Sequence, residues 1–328
     1  MTAKWGERKA MTAAAAWAAL GMGLGIFDSQ LGIFAIGVLM IGMAGSVFNL
    51  ARQSYLAEAV PPEFRARAMS TLGGVARIGV FIGPFAAAGV MSLIGITGAY
   101  WVGLGALIAA MVISLRIPDL EVRSPPRAAD GTTRKITMAG IARNHWRPLA
   151  TVGLGVFCIA AVRASRQVVI PLWADNLGLD ATTASLIYGL SGAIDMLVFY
   201  PAGKVMDRRG RVWVAVPCML IMAVALGLMP LASGGTTLLL AAMLLGLGNG
   251  IGSGIVMTLG ADHSPEHGRP QFLGLWRLMA DGGVMAGPVL LSALAATLSL
   301  AVGIWAVAGI SLLGAVLFGY FIPRSRPR

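Results

Sequence analysis

Gly203-Lys204-Val205-Met206-Asp207-Arg208-Arg209-Gly210-Arg211 is the stretch on which the reading of this sequence turns. It packs four bases and one acid into nine residues. Apolar runs bound it on both sides, at 182–203 and 212–231, and each is long enough to cross a hydrocarbon core of roughly 30 Å as a helix. A charged turn between two such runs fixes topology, because basic loops are retained on the cytoplasmic side of a bilayer.

The rest of the chain repeats the pattern. Of 328 residues 57% are hydrophobic and 12% charged, with mean hydropathy +0.79, whereas a soluble domain carries about a quarter charged residues. Apolar runs predict ten spans, near 10–27, 31–52, 67–93, 98–116, 148–172, 182–203, 212–231, 236–260, 270–294 and 299–322. The weakest break between them is Asp28-Ser29-Gln30.

A net charge of +11 could point to nucleic acid. The positions of the bases answer otherwise: the loops holding Lys4, Arg8, Lys9, Arg65, Lys135, Arg147, Lys204, Arg269 and Arg324 all fall on one side, and the opposite loops contain no Lys or Arg. The partner is therefore a lipid bilayer, with no nucleic acid and with both termini cytoplasmic. Scarce Lys beside abundant Arg, Ala and Gly points to a bacterium and its plasma membrane. The first apolar run leads straight into a second span, so no cleavable leader is expected. Cys158 and Cys218 fall inside spans, as packing residues. His145, His263 and His267 have no nucleophile or ligand cluster near them in sequence, so neither an enzyme, a metal site nor a cofactor is expected.

Between 118 and 147 the sequence turns polar, with Ser124-Pro125-Pro126 and Asp130-Gly131. It reads as a cytoplasmic linker dividing a four-helix bundle, 1–117, from a six-helix bundle, 148–328. Within it, 136–145 suits either a short amphipathic helix or a solvated loop.

The chain also matches itself. An offset of 204 residues sets Gly79, Gly83 and Pro84 on Gly283, Gly287 and Pro288, Arg65 on Arg269 and Gly42 on Gly246. Parallel repeats are a known transporter plan. The spans at 148–172 and 182–203 have no counterpart, since their image would begin about 56 residues before Met1. The first bundle is thus expected to be incomplete, through a start placed too far downstream, a true truncation, or helices supplied by a partner.

The nine residues quoted first resemble the signature Gly-x-x-x-Asp-Arg-x-Gly-Arg of the major facilitator superfamily, with Gly203, Asp207, Arg208, Gly210 and Arg211 at its fixed positions. The resemblance implies an all-α polytopic fold of two pseudo-symmetric bundles, with the third to twelfth family helices present. It also implies a gate in the cytoplasm-closed state, with Asp207 pairing with a neighbouring helix end and Arg211 with an acidic group. Ala3 to Lys9 resembles the tail of the same signature, with Ala3 in place of its Asp. Gly79-x-x-x-Gly83-Pro84, echoed at Gly283, Gly287 and Pro288, resembles part of the antiporter signature, although Ser70, Ala87 and Ala88 depart from it. Small residues allow close helix approach and Pro bends a helix.

Ionisable groups inside spans are costly and therefore candidate functional residues. Arg77 lies roughly 15 Å into its span. Arg277 and Asp281 are spaced to pair, and the repeat sets Asp281 opposite Arg77, so three charges are expected to meet near the midplane either as a neutral cluster or as a coupling site. Asp195 is a proton-linked carboxylate or a structural one. Arg163 and Arg166 either snorkel to headgroups or line the external mouth; if Arg163 instead joins Arg77 in the cavity, the site favours an anionic small-molecule substrate. Gly246, Gly248, Gly250, Gly252 and Gly254 spread round their helix, for close packing or for flexibility.

The expected function is alternating-access transport of a small organic solute, with protons as the coupling ion and export as its direction. Uptake of an organic acid or sugar, and a nonfunctional or regulatory membrane protein, are the alternatives.

Overall fold

In the computed structural model, residues 6–27, 31–61, 64–118, 138–265 and 268–324 are described. Among them every regular element is helical: α1 (Glu7–Phe27), α2 (Leu31–Ala59), α3 (Arg65–Ile94), α4 (Thr97–Arg116), α5 (Met138–Asn144), α6 (Trp146–Asn176), α7 (Ala181–Arg209), α8 (Val212–Leu228), α9 (Gly235–Ile251), α10 (Ile255–His263), α11 (Arg269–Thr297) and α12 (Leu300–Arg324). Ten stretches are long and apolar enough to cross a membrane, with α9 and α10 counted as one. In a bilayer every backbone polar group must be satisfied within the chain, and helices do this.

The chain divides into two compact units, Met1–Ala129 and Asp130–Arg328. Residues 119–137 of the expected linker, the first signature's residues 1–5 and the break at 28–30 lie outside the described residues.

In the N-terminal unit α1 crosses α2 where Gly21 and Gly37 bring their backbones together: a Cβ on either would sit within 2.8 Å of the other's carbonyl oxygen. Ala14, Ala15 and Ala18 of α1 are buried. A small cluster of Ala10, Met11 and Ala51 closes one end against Phe48, Tyr55 and Ile117.

The C-terminal unit has a continuous core from all its long helices, including Ile159 and Ile170 of α6, Met219 and Met222 of α8, Leu245 of α9, Phe272 of α11 and Phe318 of α12. It begins upstream of residue 148. Ile141 of α5 is buried in this core, and the His145 ring meets Phe272 edge-on at 6.0 Å.

The internal repeat is visible in the helices themselves. Shifted by 204 residues, α3 begins where α11 begins, at Arg65 and Arg269, and α2 (31–59) covers the length of α9 and α10 together (235–263). One difference stands out in sequence and structure alike. Where α2 runs unbroken through Phe48-Asn49-Leu50, the second copy has Gly252-Ser253-Gly254 and the helix opens into a turn, with Gly254 at φ +80°. That left-handed conformation is open to Gly and strained for a residue such as Leu.

Candidate functional site

The interior of the C-terminal unit holds a polar cluster. Tyr188, Ser191 and Asp195 recur along α7 at helical spacing, forming one stripe, and Arg166 of α6 reaches across to it. One guanidinium nitrogen of Arg166 donates to Asp195 Oδ2 at 3.2 Å and the other terminal one to Ser191 Oγ at 3.0 Å. The guanidinium also lies over the Tyr188 ring, 5.4 Å from its centroid. Only 6% of the Arg166 side chain and 11% of the Asp195 side chain are exposed. Arg166 therefore does not snorkel: its position near one end of the span set its depth, but the stripe on α7 set its direction.

α9 completes the cluster. Asn249 Nδ2 donates to Asp195 Oδ2 at 2.5 Å, and Ser191 Oγ donates to the Ala242 carbonyl at 2.6 Å. The helices come this close because of the alternating glycines. Gly250 meets the Asp195 backbone and Gly246 that of Ser191, while Gly248 faces Met222, and Gly252 faces Cys218 and Arg163. Even glycines thus serve α7 and α8 by turns, which is the close packing that their spread round the helix allowed.

Arg163, half-buried, donates to the Asn249 carbonyl at 3.4 Å. The position of that carbonyl explains the contact. In an unbroken helix it would accept from Ser253 N, but at the turn Ser253 N bonds Gly250 O instead. A cation at the C-terminal end of a half-helix also meets the negative end of its dipole. Within this cluster Arg163 and Arg166 stand beside the carboxylate of Asp195.

Beyond the turn, α10 is held at two places. Trp276 of α11 donates from Nε1 to Val256 O at 2.9 Å, and its ring stacks on His263 at 6.0 Å. At the far end Arg211 grips Asp262 with two bonds, Nε to Oδ2 at 2.7 Å and a terminal nitrogen to Oδ1 at 3.2 Å. The Asp262 carboxylate raises the Arg211 guanidinium above its ordinary value. Arg211 is placed for this by Gly210, which ends α7 at φ +97°. Asp207 and Arg208 are exposed.

The remaining candidates of this unit are not part of the cluster. Arg277 and Asp281 pair at 2.9 Å along α11, both more than half exposed. Arg77, in the other unit, is half-buried on α3. Gly283 and Gly287 press on the Phe157 and Ala161 carbonyls of α6, but Gly79 and Gly83, their images in the first copy, have nothing within 4 Å of an added Cβ. Among the described residues no group of His, Cys, Asp or Glu could hold a metal ion. Sequence reasoning named Arg166 only as a side chain that snorkels or lines the mouth, and it missed Ser191, Asn249 and Asp262. Asn249 carried a signal, as a large polar side chain in a run of glycines.

The helices, the glycine seams and the clamp at the 203–211 turn agree with a comparison of the whole chain. The family model described as Major Facilitator Superfamily matches residues 1–162 and 152–328. The chain belongs to that superfamily. It is a multi-pass membrane protein of a family of solute transporters, and this superfamily member shares its fold with solved relatives at low identity. The human organic anion transporter MFSD10 (TETRAN) is 15% identical with a TM-score of 0.67, over 97% of this chain and 78% of that one. A POT family transporter in complex with 5-aminolevulinic acid is 9% identical with a TM-score of 0.77, over 98% and 82%. A POT family transporter in complex with a thioalcohol-conjugated peptide is 10% identical with a TM-score of 0.76, over 98% and 83%. No curated protein matches the chain by sequence.

Proposed function

We propose that this superfamily member exports a small organic anion in exchange for protons, from a bacterial plasma membrane in which both termini are cytoplasmic, and that the Arg166–Asp195 cluster is its coupling centre. The observation that carries the reading is the ion pair set inside a membrane-spanning unit, beside a helix break. A charged pair there is costly to keep. Protonating Asp195 would remove the charge that holds Arg166 and receives Asn249, and Asn249 lies three residues before the turn.

The route from that centre to the surface is α10, a half-helix of roughly 10 Å from Ile255 to Asp262. It leaves the turn next to Asn249 and ends in the Arg211 clamp. A change of charge at Asp195 would thus be felt at the Arg211–Asp262 pair through a short rigid element. Two bases against one acid in the cluster support an anionic substrate, as does the likeness in fold to an organic anion transporter. Arg77, Arg277 and Asp281 are proposed as further substrate or coupling residues. Export is favoured by the Gly79-x-x-x-Gly83-Pro84 pattern and its echo.

Proteoliposomes loaded with a pH-sensitive dye test this. With an imposed pH gradient, a panel of small carboxylates and phosphonates should include one that collapses the gradient. Asp195→Asn should bind that anion and exchange it without moving protons. Flux in the opposite sense would replace export by uptake, and no flux with any member of the panel in folded protein would favour a regulatory role.

A further inference from the structure

At one end of the C-terminal unit exposed aromatic rings are paired with bases. α6 starts at this end, α7 returns to it, α8 leaves from it and α12 returns to it. Each of three of these helices carries an exposed aromatic ring with a base folded over it: Arg147 over Trp146 at 5.9 Å, Lys204 over Tyr200 at 4.8 Å, and Arg324 over Tyr320 at 3.7 Å. α8 adds Trp213, which is also exposed.

The four helices are neighbours in that order. α7 passes to α8 through the Gly210 turn. α8 runs beside α12, where a Cβ at Gly319 would lie 3.5 Å from Val216 and Ser311 Oγ donates to Met219 O at 2.7 Å. α12 packs on α6 where Gly155 receives the Phe318 ring. The rings therefore form an arc round one rim.

The arc is basic. At this end the described acids are Asp207 and Asp262, and Asp262 is already held by Arg211. In Tyr200–Lys204 and Tyr320–Arg324 the base stands one turn nearer the end than the ring. A ring at the hydrocarbon edge with a cation just beyond it suits a lipid whose headgroup carries a phosphodiester and net negative charge.

We propose that this rim is a docking surface for anionic phospholipid, with Arg147, Lys204 and Arg324 as its phosphate-binding groups and Trp146, Tyr200, Trp213 and Tyr320 seating the glycerol and upper chains. Folding the cations over the rings limits their freedom before the lipid arrives.

The test is a titration of detergent-solubilised full-length protein with phosphatidylglycerol, read by thermal unfolding, beside phosphatidylcholine and inorganic phosphate. Phosphatidylglycerol should stabilise the protein saturably and the other two should not. Each of Arg147→Gln, Lys204→Gln and Arg324→Gln should weaken the apparent affinity about fivefold, as expected for one charge at a membrane surface. Lys204→Arg should keep it. Native mass spectrometry of lipid adducts on the same variants gives the affinity directly should a variant unfold early. An equal response of the triple Gln variant and the parent, or stabilisation by inorganic phosphate alone, overturns the proposal.

Discussion

Arg166 and Asp195, 29 residues apart in the chain, meet at 3.2 Å, with Arg166 also donating to Ser191 and Asp195 also accepting from Asn249. Removing one member leaves the other charged in an apolar interior, which costs about 3–5 kcal/mol, whereas replacing both by apolar residues of similar volume is often neutral. Arg166→Met alone should therefore lower the unfolding temperature sharply, and Arg166→Met with Asp195→Leu should recover most of the loss. Additive losses in thermal denaturation would show that the two do not act as a pair.

The spans could be read from sequence because a bilayer imposes a one-dimensional rule. Whether a stretch such as 212–231 is apolar for long enough can be judged residue by residue, and the charged turn after Gly203 marks where it stops. The cluster obeys no such rule. Arg166 reads as a lipid-reaching side chain because its depth along the helix is in the sequence and its direction round the helix is not. Its direction depends on α7 presenting Ser191 and Asp195. Likewise Asp262 lies 51 residues from Arg211, and only the return of α10 to the same end brings them together. The break at Gly252-Ser253-Gly254 falls between the two cases: the glycines were evident, but packing and breaking ask for the same residue.

The glycine seams yield a contrast between the two copies of the repeat. A Cβ at Gly250 would lie 2.7 Å from the Asp195 carbonyl oxygen, and Gly283 and Gly287 are tighter still against α6. Overpacking of this kind costs about 1–3 kcal/mol. Gly250→Ala, Gly283→Ala and Gly287→Ala should each lower the unfolding temperature, while Gly79→Ala and Gly83→Ala should not. Equal losses in both sets would mean that the α3 glycines are packed against a helix as the α11 ones are.

Cys218 offers a native reporter of the turn, because its sulfur lies against Gly252 and is buried. The Arg211–Asp262 pair is about one-third exposed, so it contributes no more than about 1 kcal/mol to stability. Its loss should nevertheless free the end of α10. In a Cys158→Ala background, Asp262→Asn is expected to speed maleimide modification of Cys218 up to about fivefold, which is what 1 kcal/mol of local opening allows. Exchanging the charges, Arg211→Asp with Asp262→Arg, should restore the slow rate. A rate unmoved by Asp262→Asn separates the clamp from the turn.

Asp180 caps α7 and supplies the pH test. Its carboxylate accepts from Thr183 Oγ1 at 2.6 Å and from Thr183 N at 3.1 Å, and these two bonds, the side-chain one foremost, hold it below its ordinary value of 3.8. A carboxyl whose value is lowered by folding adds stability above its unfolded value and loses it as pH falls through the folded one. At neutral pH Asp180→Ala should therefore lower the unfolding temperature, since Ala cannot accept from the first turn. Below pH 3.8 the parent should lose the same advantage and the two melting curves should converge. A constant gap between them across the acid range would assign the effect of Asp180 to something other than its charge.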